Sequence, residues 1–279
     1  MALSINKRDL NRILVISSLL SFLVLISVLT FCPGGSVIAE GYNGLDRNQY
    51  ISNYSDITLE AVISLISDDS IELRRNIILA SLLSTSFILD QGIRDFVQDN
   101  FYFGDNILSR TLYKLGDPDY VLPGYLLAGG YSYLSDNRYF QDSLLLSFQS
   151  LLITQFYTEL VKTTVGRTRP RNSVDNPFER GKGGKSFFSG HASGSWAVMT
   201  VFAERYPGYS LPFYGLAAGV AGSRIYEDAH WFSDVLIGSV AGYGIGRLTI
   251  SINSNIGEDI KIKPVFKENL VGLHFKYSF

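Results

Sequence analysis

Disulfide chemistry is closed to this chain: Cys32 is its one cysteine, so neither an internal disulfide nor a thiolate metal site can be built. Histidine is scarce as well. The three present, His191, His230 and His274, are too few for a two-metal hydrolase that relies on several imidazoles. No dense run of Asp and Glu offers a carboxylate cage in their place. The chemistry to expect therefore uses no metal and no cofactor. A basic surplus is missing too. The chain sets 24 Lys and Arg against 26 Asp and Glu, a formal net charge of −2, which argues against a nucleic-acid partner. What it does have is apolar material, 46% of 279 residues, enough for a substantial core in one or two domains.

Lys7, Arg8 and Arg12 precede an apolar run from Ile13 to Phe31, followed by Pro33-Gly34-Gly35 and then Val37-Ile38-Ala39. That is the layout of an export signal, although the run is also long enough to span a bilayer uncleaved. Residues 1–39 thus read as a signal peptide or N-terminal anchor, and the rest is expected outside the cytosol, in the periplasm or cell envelope. Residues 40–74 are a polar lead-in with one amphipathic helix around Leu59 to Ile66. Apolar stretches without strand alternation follow at Ile77–Leu89, Tyr120–Leu134, Ser143–Val161, Ala192–Phe202, Leu211–Ile225 and Val235–Ile250, and their lengths favour helices. Gly238, Gly242 and Gly246 recur every four residues, as do Gly215 and Gly219, and Ala218 and Gly222. Such spacing lets helix backbones approach closely in a bundle. Residues 253–279 change character: a turn-rich start at Asn253 to Glu258 gives way to alternation, read as a short C-terminal β-hairpin turning at Glu268-Asn269. His274 falls on its solvated side.

Three features speak against helices buried in a bilayer. Several stretches fall short of the ~20 residues a crossing needs. Ser143–Val161 carries Gln149, Gln155 and Glu159. Counting crossings from an exported residue 40 also puts the loop after Lys162 in the cytosol. The expectation is an exported bundle, soluble or attached to a membrane surface, with an integral membrane protein as the alternative.

The chemistry is concentrated in three blocks: KTTVGRTRP from Lys162 to Pro170, SGH from Ser189 to His191, and SRIYEDAHWFSD from Ser223 to Asp234. Phosphoryl transfer needs fixed cations for the non-bridging oxygens, an in-line nucleophile and a proton for the leaving oxygen. Pro170 disfavours helical geometry at Arg169, so the chain turns there and can aim the guanidinium. An arginine grips two phosphate oxygens at once, and Lys162 adds a compact charge. Ser189 is a natural N-cap, and Gly190 lets an anion approach the amides at the helix start. His191 then sits where it can deliver a proton. Arg224 closes one apolar stretch and His230 begins the next, with Asp228 available as a cap. Asp234 lies four residues beyond His230, where its carboxylate can hold one ring nitrogen and leave the other free to attack. Each block alone has an ordinary explanation as a solvated helix end, a cap or a helix contact. Their order and spacing point to one site.

In that order the blocks resemble the type 2 phosphatidic acid phosphatase (PAP2) superfamily, whose pattern is Lys-x6-Arg-Pro, then Pro-Ser-Gly-His, then Ser-Arg-x5-His-x3-Asp. The matching positions are Lys162, Arg169 and Pro170; Ser189, Gly190 and His191; and Ser223, Arg224, His230 and Asp234. Phe188 stands where the family usually has proline, a position that shapes the loop and donates no side-chain chemistry. The resemblance covers about residues 75–250 and implies an all-α helical bundle, with the family domain at 75–252. It implies His230 as nucleophile through a phosphohistidine, Asp234 orienting it, and His191 as general acid. Lys162, Arg169, Ser189, Gly190 and Arg224 would hold the phosphate. Arg167, Arg171, Lys182 and Lys185 flank the first two blocks, either drawing in an anionic head group or solvating the loop. The activity implied is metal-independent hydrolysis of a phosphomonoester or pyrophosphate. The apolar richness leans towards a phosphorylated lipid at a membrane surface. A broad acid phosphatase for small soluble phosphate esters uses the same residues. Vanadium-dependent haloperoxidases resemble the same motif, with vanadate standing where phosphate would.

Overall fold

A computed structural model describes residues 70–102, 104, 107–135, 137–172, 184–267 and 270–277. The signal or anchor at 1–39, the helix expected at Leu59 to Ile66, the turn at Glu268-Asn269 and Lys182 lie outside the described residues. The helices are α1 (Ser70–Phe101), α2 (Ile107–Gly116), α3 (Pro118–Leu134), α4 (Arg138–Val165), α5 (Gly190–Arg205), α6 (Ser210–Tyr226) and α7 (Phe232–Asp259). Six of them contain the six apolar stretches. The exception is α2, a short helix whose Ile107, Leu108, Leu112 and Leu115 alternate with Ser109, Arg110 and Lys114. Two strands, Ile260–Lys267 and Leu270–Tyr277, pair antiparallel at the end of the chain, with Ile260 opposite Tyr277 and Lys267 opposite Leu270.

Local chemistry sets the helix ends. Asp117 caps α3 by accepting from Asp119 N–H at 2.9 Å, with Pro118 in the first helical position. Gly166, at φ 64°, closes α4 by donating its N–H to Lys162 O at 3.1 Å. One expectation is overturned here: Asn253 to Glu258 is not a turn but the last part of α7, which runs to Asp259. Once a helix is nucleated, each further residue adds a hydrogen bond at little cost, and this outweighs a turn-rich composition.

At the centre, α5 packs against α4, α6 and α7. The glycine ladder of α7 explains how closely. A Cβ at Gly238 would lie 2.8 Å from Ser189 O, and one at Gly242 would overlap the Ser193 carbonyl. The α6 glycines differ: Gly219 faces Leu112, whereas Gly215 and Gly222 have open space around them. Close backbone contact is thus a property of the α5–α7 pair. It brings the first turn of α7 against the first turn of α5, where Ser189 N–H donates to Asp234 O at 3.1 Å.

The helices are longer than the apolar runs that mark them. Helices α1, α4 and α7 are 32, 28 and 28 residues long, and Arg138–Asn172 and Phe232–Asn253 are long and apolar enough to cross a membrane. The three polar residues that broke the apolar run of α4 are paired within the protein. Gln149 is buried and accepts from Asn253 Nδ2 at 3.2 Å, and Gln155 Nε2 donates to Gly190 O at 3.0 Å. Glu159 pairs with Lys162 at the helix end. Outside, Ile88, Leu126 and Leu134 are 81%, 78% and 84% exposed, with Leu127, Phe156 and Leu211 also bare. So much exposed apolar surface suits burial against a membrane or a partner surface.

Candidate active site

All three blocks meet at one end of the bundle. Lys162 lies in the last turn of α4, and its Nζ is 3.1 Å from where a Cβ on Gly190 would be, so it overhangs the start of α5. Ser189 caps α5, its Oγ accepting from Ala192 N–H at 3.4 Å. Arg169, half-buried, precedes the 3₁₀ turn Pro170–Asn172. Arg224 is buried in the last turn of α6, where Nη1 donates to Glu227 Oε2 at 2.8 Å and the guanidinium lies 5.0 Å from the Tyr113 ring.

His230 is buried in the loop between α6 and α7, not at the start of a helix; α7 begins at Phe232. Asp228 is no cap. It takes a positive φ of 52° and pairs with Arg94 through two hydrogen bonds of 2.7 Å. The loop is held onto the first block as well, since Trp231 Nε1 donates to Thr168 O at 2.9 Å and Arg171 N–H to Asp228 O at 3.2 Å. Asp234, in the first turn of α7, reaches back so that Oδ2 accepts from Trp231 N–H at 3.0 Å, half of a capping box. The same oxygen accepts from Ser186 Oγ and lies 3.6 Å from His230 Nδ1. Ser186 Oγ is itself 3.5 Å from that nitrogen. Nδ1 is thus turned towards carboxylate and hydroxyl, which leaves Nε2 as the outward nitrogen.

Three residues behind His230 were missed or misread from sequence. Arg167 is 2% exposed, neither a head-group attractor nor a solvated loop residue. Its Nη1 donates to Asp234 Oδ1 at 2.6 Å and its Nη2 to Asp90 Oδ2 at 2.6 Å, with the guanidinium 5.2 Å from the Trp231 ring. Asp90, on α1, also accepts from Ser233 N–H and Ser233 Oγ, each at 2.7 Å. Ser186 is the third. Asp90 lies 77 residues before Arg167 and carried no local signal; Ser186, three residues before Ser189, sat beside one. Arg171 and Lys185 are exposed at the rim. Phe188 is fully buried, joined to Phe187 by a cis peptide, and its ring would touch a Cβ on Gly238 at 3.4 Å, so this side chain fills core.

His191 sits in the first turn of α5 with its ring stacked on Tyr113, centroids 5.1 Å apart. Its Nε2 is buried, with no hydrogen-bond partner among the described residues, and so is Arg224 Nε. Burial, then the charges of Arg224 and His230, push the His191 pKa down to about 3, against a smaller opposing pull from Asp117. His230 is lowered too, first by burial; Asp234 opposes this, and Arg169 and Arg224 reinforce it. Two neutral imidazoles thus share a site with three cations.

A buried imidazole backed by a carboxylate, a second imidazole at a helix N-terminus and cations from three separate segments make a cluster whose charges and donors suit a tetrahedral oxyanion. The family model described as PAP2 superfamily matches residues 143–258 of this chain. Among curated proteins it is similar to a lipid A 1-phosphatase of Rhizobium etli, 28% identical over 48% of this chain and 63% of that protein. It is also similar to a PA-phosphatase related-family protein of Dictyostelium discoideum, 31% identical over 52% of this chain and 59% of that one. The chain therefore spans less than two thirds of either relative. A transmembrane PAP2 type phosphatidylglycerolphosphate phosphatase from Bacillus subtilis overlays 63% of this chain and 96% of its own, at 18% identity and a TM-score of 0.43.

Proposed function

We propose that this protein is a membrane-associated phosphatase that hydrolyses a phosphate ester or pyrophosphate of a lipid through a phosphohistidine. The observation that carries the reading is the asymmetry of His230: Nδ1 faces Asp234 and Ser186, so Nε2 is left to attack phosphorus. In the first step the Nε2–P bond forms and the bond from phosphorus to the leaving oxygen breaks. Lys162, Arg169, Arg224 and the amides at the start of α5 hold the non-bridging oxygens. His191 gives the leaving oxygen its proton. Water then attacks the phosphohistidine, with His191 taking a proton back, and inorganic phosphate leaves. A neutral His191 in the free site is compatible with this, because a phosphate dianion counters the very cations that depress it.

The exposed apolar belt and the two membrane-length helices support a bilayer location, with the N-terminal segment delivering the protein to the cell envelope. The lipid phosphatase names of the relatives support a lipid substrate. The test is hydrolysis of p-nitrophenyl phosphate and of phosphorylated lipids in detergent, with and without chelator. Chelator-resistant release is expected, and His230→Ala should lose it while unfolding like wild type. Full activity in His230→Ala would refute the mechanism.

A further inference from the structure

We propose that Arg94, on α1, is a positioning residue for His230: it holds the loop between α6 and α7 in the shape that sets His230 against Asp234 and Ser186. The catalytic part of this rests on the phosphatase reading above. Helix α6 ends in a Schellman turn, with Asp228 N–H donating to Ile225 O at 3.0 Å and Ala229 N–H to Arg224 O at 3.1 Å. His230 N–H donates to the same Arg224 carbonyl at 3.2 Å, so the turn fixes where the imidazole leaves the chain. Such a turn takes a left-handed residue just past the helix end, and glycine is the usual choice. Here that residue is Asp228, at φ 52°. A side chain with a Cβ disfavours this conformation, although Asn and Asp pay the least for it.

What holds Asp228 there is α1. Arg94 Nε and Nη2 each donate to one oxygen of the Asp228 carboxylate at 2.7 Å, a bidentate pair that fixes orientation as well as distance. The contact belongs to a stripe. Asp90, Arg94 and Gln98 are spaced four apart along α1 and so share one face of it. Asp90 accepts from Ser233 N–H in the first turn of α7. Gln98 Nε2 donates to Ile225 O at 3.3 Å and Tyr226 O at 3.1 Å, in the last turn of α6. One helix face thus grips the end of α6, the loop and the start of α7, with Arg94 in the middle. The stripe lies outside residues 143–258, so the family model does not cover it. Arg94 and Asp228 are 26% and 18% exposed, and an ordinary ion pair at that exposure would add a little stability and leave turnover alone. Substitution separates the two roles.

The experiment combines p-nitrophenyl phosphate kinetics with hydrogen–deuterium exchange at Ala229 and His230, on the full-length protein in detergent. Arg94→Met leaves the Asp228 carboxylate without its partner and should let the turn relax. kcat should fall ~10–100-fold, because a displaced nucleophile costs turnover. KM should stay within about twofold, because the proposed phosphate contacts Lys162, Arg169 and Arg224 are untouched. Both amides should exchange faster as they lose the Arg224 carbonyl. In an Asp228→Gly background glycine makes the turn unaided, so there the same Arg94→Met change should cost about twofold or less in kcat and leave exchange unaltered. The proposal is overturned if Arg94→Met keeps wild-type kcat, whatever KM does, if exchange is unchanged, or if kcat falls equally in both backgrounds. Should the wild type hydrolyse no p-nitrophenyl phosphate, the phosphatase reading fails by itself, and the exchange rates in the two backgrounds decide whether Arg94 holds the loop.

Discussion

The two sides of His230 are built in opposite ways. Towards α1 lies a buried, densely bonded chain: Ser186 and Asp234 face Nδ1, Arg167 bridges Asp234 to Asp90, and Ser233 ties Asp90 to the start of α7. Towards α2 and α5 the bonding is sparse, with His191 Nε2 and Arg224 Nε buried and without hydrogen-bond partners among the described residues. A buried polar atom left unpaired costs roughly 1–3 kcal/mol, a cost that a bound oxyanion would recover for these two. One half of the site holds the proposed nucleophile still. The other half holds the groups proposed to take the oxyanion.

Substitutions in the two halves should therefore fail differently, and the largest effect belongs to the bonded half. Arg167→Met removes the cation that bridges two buried carboxylates, Asp90 and Asp234. Breaking a buried ion pair from one side typically costs ~3–5 kcal/mol, and unfolding of the detergent-solubilised protein should show a loss of that size, with activity gone as well. If Arg167→Met unfolds like wild type, the bonded half is not the scaffold described here. Asp90→Asn gives a finer comparison: it keeps the shape and one acceptor, so it should lose less stability than Arg167→Met.

In the open half, activity should fall without the fold. Lys162→Met removes a cation whose partner, Glu159, is 54% exposed, so the pair contributes at most ~1 kcal/mol to stability. The same change strips a proposed phosphate contact, and kcat/KM should drop ~10²–10³-fold, as for loss of one oxyanion donor. Unfolding and p-nitrophenyl phosphate assays on one preparation measure both. A variant that loses stability and activity together would erase the distinction between the halves.

The halves were also unequally legible in the sequence. Lys162, Ser189, His191, Arg224 and His230 stand out because local rules act on them: a helix end, a cap, a proline-restricted turn, a spacing. Asp90 did not, because its partner is brought to it by tertiary packing and nothing near it in sequence signals that role. Arg167 was misread for the same reason: in a loop so rich in Lys and Arg, one buried arginine looks like its solvated neighbours. The helices themselves were readable from apolar runs, but their lengths were not, since polar residues such as Gln149 and Gln155 break the run while pairing inside the bundle. The glycine ladder showed close packing without saying against what; in α7 the partner is the α5 backbone.

The smallest effect is the most specific to the open half. Burial, Arg224 and His230 hold His191 at about 3, so it is neutral near pH 7. A bound dianion offers Nε2 an acceptor and offsets the cations, raising that pKa, so binding takes up a proton. Affinity then rises as pH falls from the bound-state pKa towards the free-state value, by at most tenfold per pH unit for one proton. Sulfate does not titrate in this window, and calorimetry from pH 8 to 5 should show it binding more tightly towards acid, with a shallower slope in His191→Gln. The unliganded protein should behave in the opposite sense. Its folded-state imidazoles sit below the unfolded value of ~6.5, so the unfolded chain takes protons first and stability is lost as pH falls below that value. Sulfate should reduce this acid loss. Sulfate affinity that ignores pH, or follows it equally in His191→Gln, would mean that the open half takes its anion without the proton, and that the leaving group draws its proton from elsewhere.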